Sequence, residues 1–174
     1  DLVQYWIHRA FHAAPILWRF HRIHHSAESM DWLAGSRLHL VDVAVTRGLT
    51  YVPIYLLGFA ETPLFAYIAF VSIQATFIHA NVRFRFGPLA WIVATPQFHH
   101  WHHGAESEAV DKNFAVHLPV LDWLFGTFHL PKDRWPASYG LAHGEKIPEG
   151  YARQFVQPFQ AAGGSASTRS TSDE

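Results

Sequence analysis

The sequence predicts an all-α membrane protein in which a helical hairpin enters the bilayer and the histidine clusters gather on its cytoplasmic side. Three observations predict it. Two long apolar runs, 41–60 and 64–80, are separated by the turn-forming Glu61-Thr62-Pro63. Charged residues make up only 16% of the chain and aromatics another 16%, against roughly 25% charged in ordinary soluble domains. Of fourteen histidines, most of them in three clusters, all but His79 lie outside the apolar runs. The formal charge is -1 with no basic stripe, so nucleic acid is not a partner. Cysteine is absent, which excludes disulfides, thiolate-bound zinc or haem, and iron–sulfur clusters.

Residues 1–13 read as an amphipathic helix that Pro15 interrupts or ends, and residues 16–30 read as a second helix. Residues 31–40, with Gly35, read as a connection. The apolar runs then form a hairpin over about 41–80. A helix of about 17 residues is roughly 26 Å long, close to the hydrocarbon thickness of a bilayer. Asp42 and Arg47 interrupt the first run, and Pro53 is expected to kink it. A buried hairpin of a soluble protein is the alternative. Chain going out and back returns His79 to the side of His21, His24 and His25. Arg9, Arg19, Arg22, Arg37, Arg83 and Arg85 fall on that side too, which makes it cytoplasmic. Residues 87–98 lead through Gly-Pro and Thr-Pro into the last cluster, and 111–130 read as loop and a short aromatic segment. The catalytic domain is expected over 1–158, with a disordered tail at 159–174 of low-complexity composition. The chain begins at Asp1 with helix-forming residues, so the natural protein is expected to extend further at its N-terminus.

The clusters are His8 and His12, then His21, His24 and His25, then His99, His102 and His103. Residues i, i+3 and i+4 share a helix face, with Cβ atoms about 5–6 Å apart. Each cluster therefore aims two or three imidazoles at one point, with His100 off that face. HRIHHSAES (21–29) and HHWHHGAES (99–107) agree at six of nine positions. With His79 the imidazoles number nine, too many for one metal and suited to two. Imidazole suits iron, zinc, copper and nickel alike. A closed structural zinc site needs only four ligands, and neither Glu-x-x-His nor His-Glu-x-x-His is present. His39, His117, His129 and His143 stand alone and read as structural. Glu28 and Glu106 each follow a cluster by three residues, where they either accept the second N–H of an imidazole or serve as surface carboxylates. Asp1 and Asn113 carry no spacing argument. Trp6, Trp18, Trp32 and Trp101 either line a substrate route or sit at the membrane interface, the latter being favoured.

The ordered set D-x-x-x-Y-W-x-H-R-x-x-H (1–12), L-W-R-x-H-x-x-H-H-S (17–26), His79 with Asn81, T-P-x-x-H-H-x-H-H (95–103), D-K-N (111–113) and D-W-L-F-G-T (122–127) resembles the fatty acid hydroxylase superfamily, also called the sterol desaturase family. The resemblance covers about residues 1–130. It implies an integral membrane helical bundle with a cytosolic histidine-rich cap, an enzyme whose cap holds a non-haem di-iron centre bound by His8, His12, His21, His24, His25, His79, His99, His102 and His103. Where some members carry a further histidine a turn after the lone one, this chain has Arg83. The implied reaction uses O₂ to hydroxylate or desaturate a sterol, fatty acyl chain, carotenoid or ether lipid. Electrons come from an external b-type cytochrome, ferredoxin or reductase, or from a pterin. Which outcome follows depends on how the lipid is oriented over the metals. A membrane zinc hydrolase and a non-catalytic metal-binding membrane protein are the alternatives, the hydrolase needing Glu28 or Glu106 at an open metal position.

Overall fold

The computed structural model describes residues 1–142 and 145–160. His143 and nearly all of the expected tail, 161–174, lie outside them. The described chain is helical, with one isolated bridge between Gly104 and Tyr139 in place of any sheet. Helix α1 spans Leu2–Ala13 and α2 spans Pro15–His25. Between them Ala14 is extended (φ -95, ψ 115), as the residue before a proline prefers. Pro15 then sits in the first turn of α2, where its missing N–H costs nothing. The proline starts a new helix and so folds α1 against α2.

Helix α2 stops at His25 and does not continue to residue 30. The reason is a side-chain cap. Arg37 Nε donates to the Ile23 carbonyl at 3.0 Å, and Ser26 Oγ donates to the same oxygen at 2.7 Å, satisfying the end of the helix from outside. A short 3₁₀ turn at Ala34–Ser36 follows. Gly35 there lies against α4, and a Cβ on it would meet His79 Nδ1 at 3.0 Å. A side chain there would crowd the His79 ring and the Ala75 carbonyl, so glycine suits the contact.

Helices α3 (Leu40–Leu56) and α4 (Glu61–His79) form the out-and-back pair. His39 caps α3: its Nδ1 accepts from Val41 N at 3.0 Å, while its Nε2 donates to Phe155 O at 3.0 Å. Among the described residues, α4 is the one helix long and apolar enough to cross a membrane, and only 17% of its apolar window is buried. Large apolar side chains stand exposed on both helices, including Leu49, Tyr55, Leu56, Phe65, Phe70 and Ile73, more than an ordinary monomer surface carries. Helix α5 (Pro96–His102) is short and wholly buried, with Thr95 Oγ1 accepting from Phe98 N. Helices α6 (Val120–Leu124) and α7 (Tyr151–Val156) complete the chain. A 3₁₀ turn at Gln157–Phe159 brings Phe159, assigned to the tail by composition, edge-on to Phe20 at 5.3 Å.

The core lies where α1, α4 and α5 meet the 113–115 segment. Tyr5, Ile78, Ala94, Phe98, Phe114 and Ala115 are buried together there. Asp122, fully buried, accepts hydrogen bonds from Phe114 N (2.7 Å), Ala115 N (2.8 Å) and Thr127 Oγ1 (2.6 Å). Tyr5 Oη donates in turn to Thr127 Oγ1 at 2.9 Å.

Candidate metal centre

The nine histidines converge from four helices into two abutting groups. His8, His12, His21, His25 and His102 form one, and His24, His79, His99 and His103 the other; within each, one ring nitrogen per residue lies within 4.8 Å of the others. The two copies of the histidine frame do not each form half of the site. The first gives its i and i+4 residues, His21 and His25, to the five-membered group and its i+3 residue, His24, to the other. The second copy does the reverse, sending His99 and His103 to the four-membered group and His102 to the five-membered one. Helix geometry allows this division. At 3.6 residues per turn, positions i+3 and i+4 flank position i on opposite sides, about 100° apart. His25 and His103 stack across the boundary with ring centroids 4.4 Å apart.

Backbone and carboxylate acceptors fix the tautomers. Nδ1–H donates to Phe114 O from His8 (2.7 Å), to Lys112 O from His102 (2.7 Å), to Ala75 O from His79 (2.6 Å) and to Arg37 O from His24 (3.3 Å). His21 donates to Asp42 Oδ2 at 2.7 Å and His12 to Asp111 Oδ1 at 3.2 Å. A carbonyl can only accept, so the proton sits on Nδ1 and a neutral ring keeps a bare lone pair on Nε2. Those lone pairs face one another. Nε2 to Nε2 is 3.1 Å between His8 and His21 and 3.2 Å between His79 and His24. In both pairs each Nδ1 is already committed, so neutral rings would leave no proton between them. Protonating one would relieve the repulsion, but burial, the largest cause, pushes the pKa of His8 down to about 3 and that of His24 well below the usual imidazole range. A shared metal cation satisfies both lone pairs at no such cost. The donor set fits one metal per group, held by imidazole nitrogen throughout.

One segment organises the five-membered group. Residues 111–114 supply acceptors to three of its rings: Asp111 to His12, Lys112 to His102 and Phe114 to His8. Asp111 and Asn113 hold positive φ, 55° and 59°, a conformation that Asn and Asp adopt more readily than most residues. Asn113 Nδ2 donates to Phe98 O (2.8 Å) and His129 O (2.7 Å), and its Oδ1 accepts from His129 N (2.8 Å). It ties the strap to α5. No single-residue spacing rule gives Asn113 this role; its place between Lys112 and Phe114 in the D-K-N box was the available signal. Asp42 had no signal beyond being a charge at the start of an apolar run.

Glu28 and Glu106 do not orient imidazoles. Glu28 is exposed because α2 ends before it, with Lys146 Nζ 4.0 Å away. Glu106 Oε1 accepts from Ala137 N. His100 points away from both groups: its Nε2 donates to Ala80 O and its Nδ1 accepts from Tyr139 Oη. Of the tryptophans, Trp101 is fully buried against His129 and under Arg134, so it is neither interfacial nor on a substrate route. Trp18 packs on His12 and His25 at 5.0 and 5.4 Å. Trp6 and Trp32 are about half exposed.

Two cavities reach the rings. One of about 180 Å³ opens between α3 and α4, with His8, His21, His24, His79 and His99 at its floor. Another of about 280 Å³ meets His12, His25 and His102 beside Trp18 and Asp111. A larger polar cleft, about 1120 Å³, touches none of the nine. Asp42 sits in the first cavity and holds His21, so Asp42→Ala is expected to lower metal affinity about 10–100-fold, the usual cost of losing such a partner. Competition with a chelator would measure it, and unchanged retention would mean that packing alone orients the ring.

Residues 1–127 match the family model described as fatty acid hydroxylase. Ornithine lipid hydroxylase OlsE of Rhizobium tropici is 36% identical over 160 residues, covering 91% of this chain and 47% of that protein. Alkylglycerol monooxygenase of Homo sapiens is 33% identical over 144 residues, covering 82% of this chain and 31% of that protein. The Danio rerio protein of the same name is 35% identical over 144 residues, again 82% of this chain and 31% of the relative. The chain thus spans between 31% and 47% of the length of these relatives. No solved structure matches.

Proposed function

The chain belongs to the fatty acid hydroxylase family, and on that premise we propose that the protein is an O₂-dependent membrane oxidoreductase that hydroxylates or desaturates a C–H bond of a lipid. One observation carries the reading. Two abutting groups of imidazoles converge, and five of their rings, His8, His21, His24, His79 and His99, border a largely apolar cavity between α3 and the membrane-length α4. His8, His12, His21, His25 and His102 would hold one iron, and His24, His79, His99 and His103 a second. Iron bound there supplies the reduction of O₂ needed to attack an unactivated C–H bond. In hydroxylation one oxygen atom enters the C–H bond and the other leaves as water, with two electrons and two protons supplied from outside.

The chain's own residues do the rest. The 111–114 strap and Asp42 hold the rings in register. Apolar walls from Val43, Val71, Ile78 and Val116 keep water from the reacting carbon and seat the lipid chain. The exposed apolar faces of α3 and α4 lie in the bilayer, so the lipid enters sideways between them. The histidine end, flanked by the arginines, faces the cytoplasm. The electron donor is external, a b-type cytochrome, ferredoxin or reductase. A zinc hydrolase would need a free carboxylate at the metals. Glu28 and Glu106 are not there, and Asp42 and Asp111 already accept from His21 and His12.

Metal analysis with Mössbauer spectroscopy on anaerobically purified, iron-grown full-length protein tests this. Two coupled irons per chain that oxidise on adding O₂ are expected. Zinc, or no response to O₂, would overturn the oxygenase reading in favour of a hydrolase or a metal-binding membrane protein.

A further inference from the structure

The cavity between α3 and α4 carries a hydroxyl that its own helix does not use. Asp42, Thr46 and Thr50 recur every fourth residue on α3, so they line one face over two turns, about 12 Å at 1.5 Å per residue. All three border the cavity. The first two are occupied: Asp42 accepts from His21, and Thr46 Oγ1 donates to Asp42 Oδ1 at 3.3 Å. Thr50 is 7% exposed, and its Oγ1 has no hydrogen-bond partner. Threonine and serine in an apolar helix ordinarily return their hydroxyl to the carbonyl one turn back. On the facing helix Ser72 and Thr76 do so, donating to Ile68 O at 2.8 Å and Ser72 O at 2.9 Å. Thr50 does not, and of these four hydroxyl residues it is the buried one. An unmet hydroxyl in such a place costs about 1–3 kcal/mol, a cost that persists only where something else takes the bond. Gln4, buried on α1, is a second polar group on the same cavity, its Oε1 accepting a long hydrogen bond of 3.4 Å from Tyr67 Oη.

We propose that Thr50 is a specificity-determining residue, donating its O–H to an ether or ester oxygen carried by the lipid chain, about two helical turns from the level of Asp42. The substrate is therefore a lipid with an oxygen acceptor buried alongside its reacting segment, preferred over a plain hydrocarbon chain. This rests on the reading of the cavity as the lipid site.

Binding, which needs neither iron nor turnover, tests it. Full-length protein in nanodiscs is titrated with a radiolabelled alkyl glycerol ether and with the alkane of equal chain length, empty nanodiscs serving as background. The parent should prefer the ether. Thr50→Val, which keeps the shape and removes the hydroxyl, should reduce that preference about three- to tenfold, the worth of one hydrogen bond. Thr50→Ser should retain it, and Thr50→Ala should repeat the loss should the valine variant fold poorly. Equal weakening of both ligands would make Thr50 a packing residue, and unchanged preference, or no binding of either ligand by the parent, would equally overturn the proposal. A protein that binds with the expected preference but holds no iron would instead refute only the oxygenase.

Discussion

Replacing His79 by alanine is expected to remove one of two metals and to abolish turnover. His79 is one of the two inner rings of the four-membered group: its Nε2 lies 3.2 Å from that of His24 and 3.0 Å from that of His99. Its loss leaves three imidazoles, of which His99 and His103 have no Nδ1 partner to hold them. It also removes the one imidazole of the nine that α4 contributes, and with it the link between the wall of the α3–α4 cavity and the proposed metal site. The fall in activity should exceed the roughly 10–100-fold cost of losing an outer hydrogen-bond partner. His8→Ala offers the contrast, because its group keeps four imidazoles. Metal content per chain, measured on both variants of the full-length protein, separates the two cases. Equal losses would mean that the groups do not act as two separate sites.

The second large effect is on stability. Asp122→Ala removes the acceptor of two backbone amides and one hydroxyl, all in the core. Leaving three buried donors unmet is expected to cost about 3–5 kcal/mol. For a chain of this size that lowers the melting temperature by roughly 6–20 °C. Asp122→Asn should cost less but not nothing, since its amide group would set an N–H against an N–H. Because Phe114 also presents its carbonyl to His8, metal retention should fall together with stability in both variants. A thermal melt followed by metal analysis would show it, and an unchanged melting temperature would mean that water reaches those donors.

Both expectations rest on residues that the sequence ranked very differently. His79 was visible as a lone histidine at the end of an apolar run, and the out-and-back path of the hairpin already placed it beside His24. Asp122 stood only as a member of a box, with no chemistry of its own to mark it. The same contrast runs through the outer hydrogen bonds. Glu28 and Glu106 follow their clusters at helical spacing, but Arg37 and Ser26 end α2 at His25 and α5 ends at His102. The acceptors are instead Asp42, 21 residues from His21, and backbone carbonyls at 112 and 114, which side-chain identity cannot announce.

What the sequence determined by itself is local. Helical spacing puts His21, His24 and His25 on one face, Pro15 divides α1 from α2, and the lack of cysteine confines any metal to nitrogen and oxygen. Those facts depend on a turn of helix or on residue type alone. What only the tertiary structure decided is the division of the nine rings into five and four, with each histidine frame shared between both groups. Positions i+3 and i+4 diverge by about 100°, so which ring meets which neighbour depends on the angle at which α1, α2, α4 and α5 cross. For α1, α4 and α5 that angle is set by the packing of Tyr5, Ile78, Phe98 and Phe114, whose side chains offer no metal ligand.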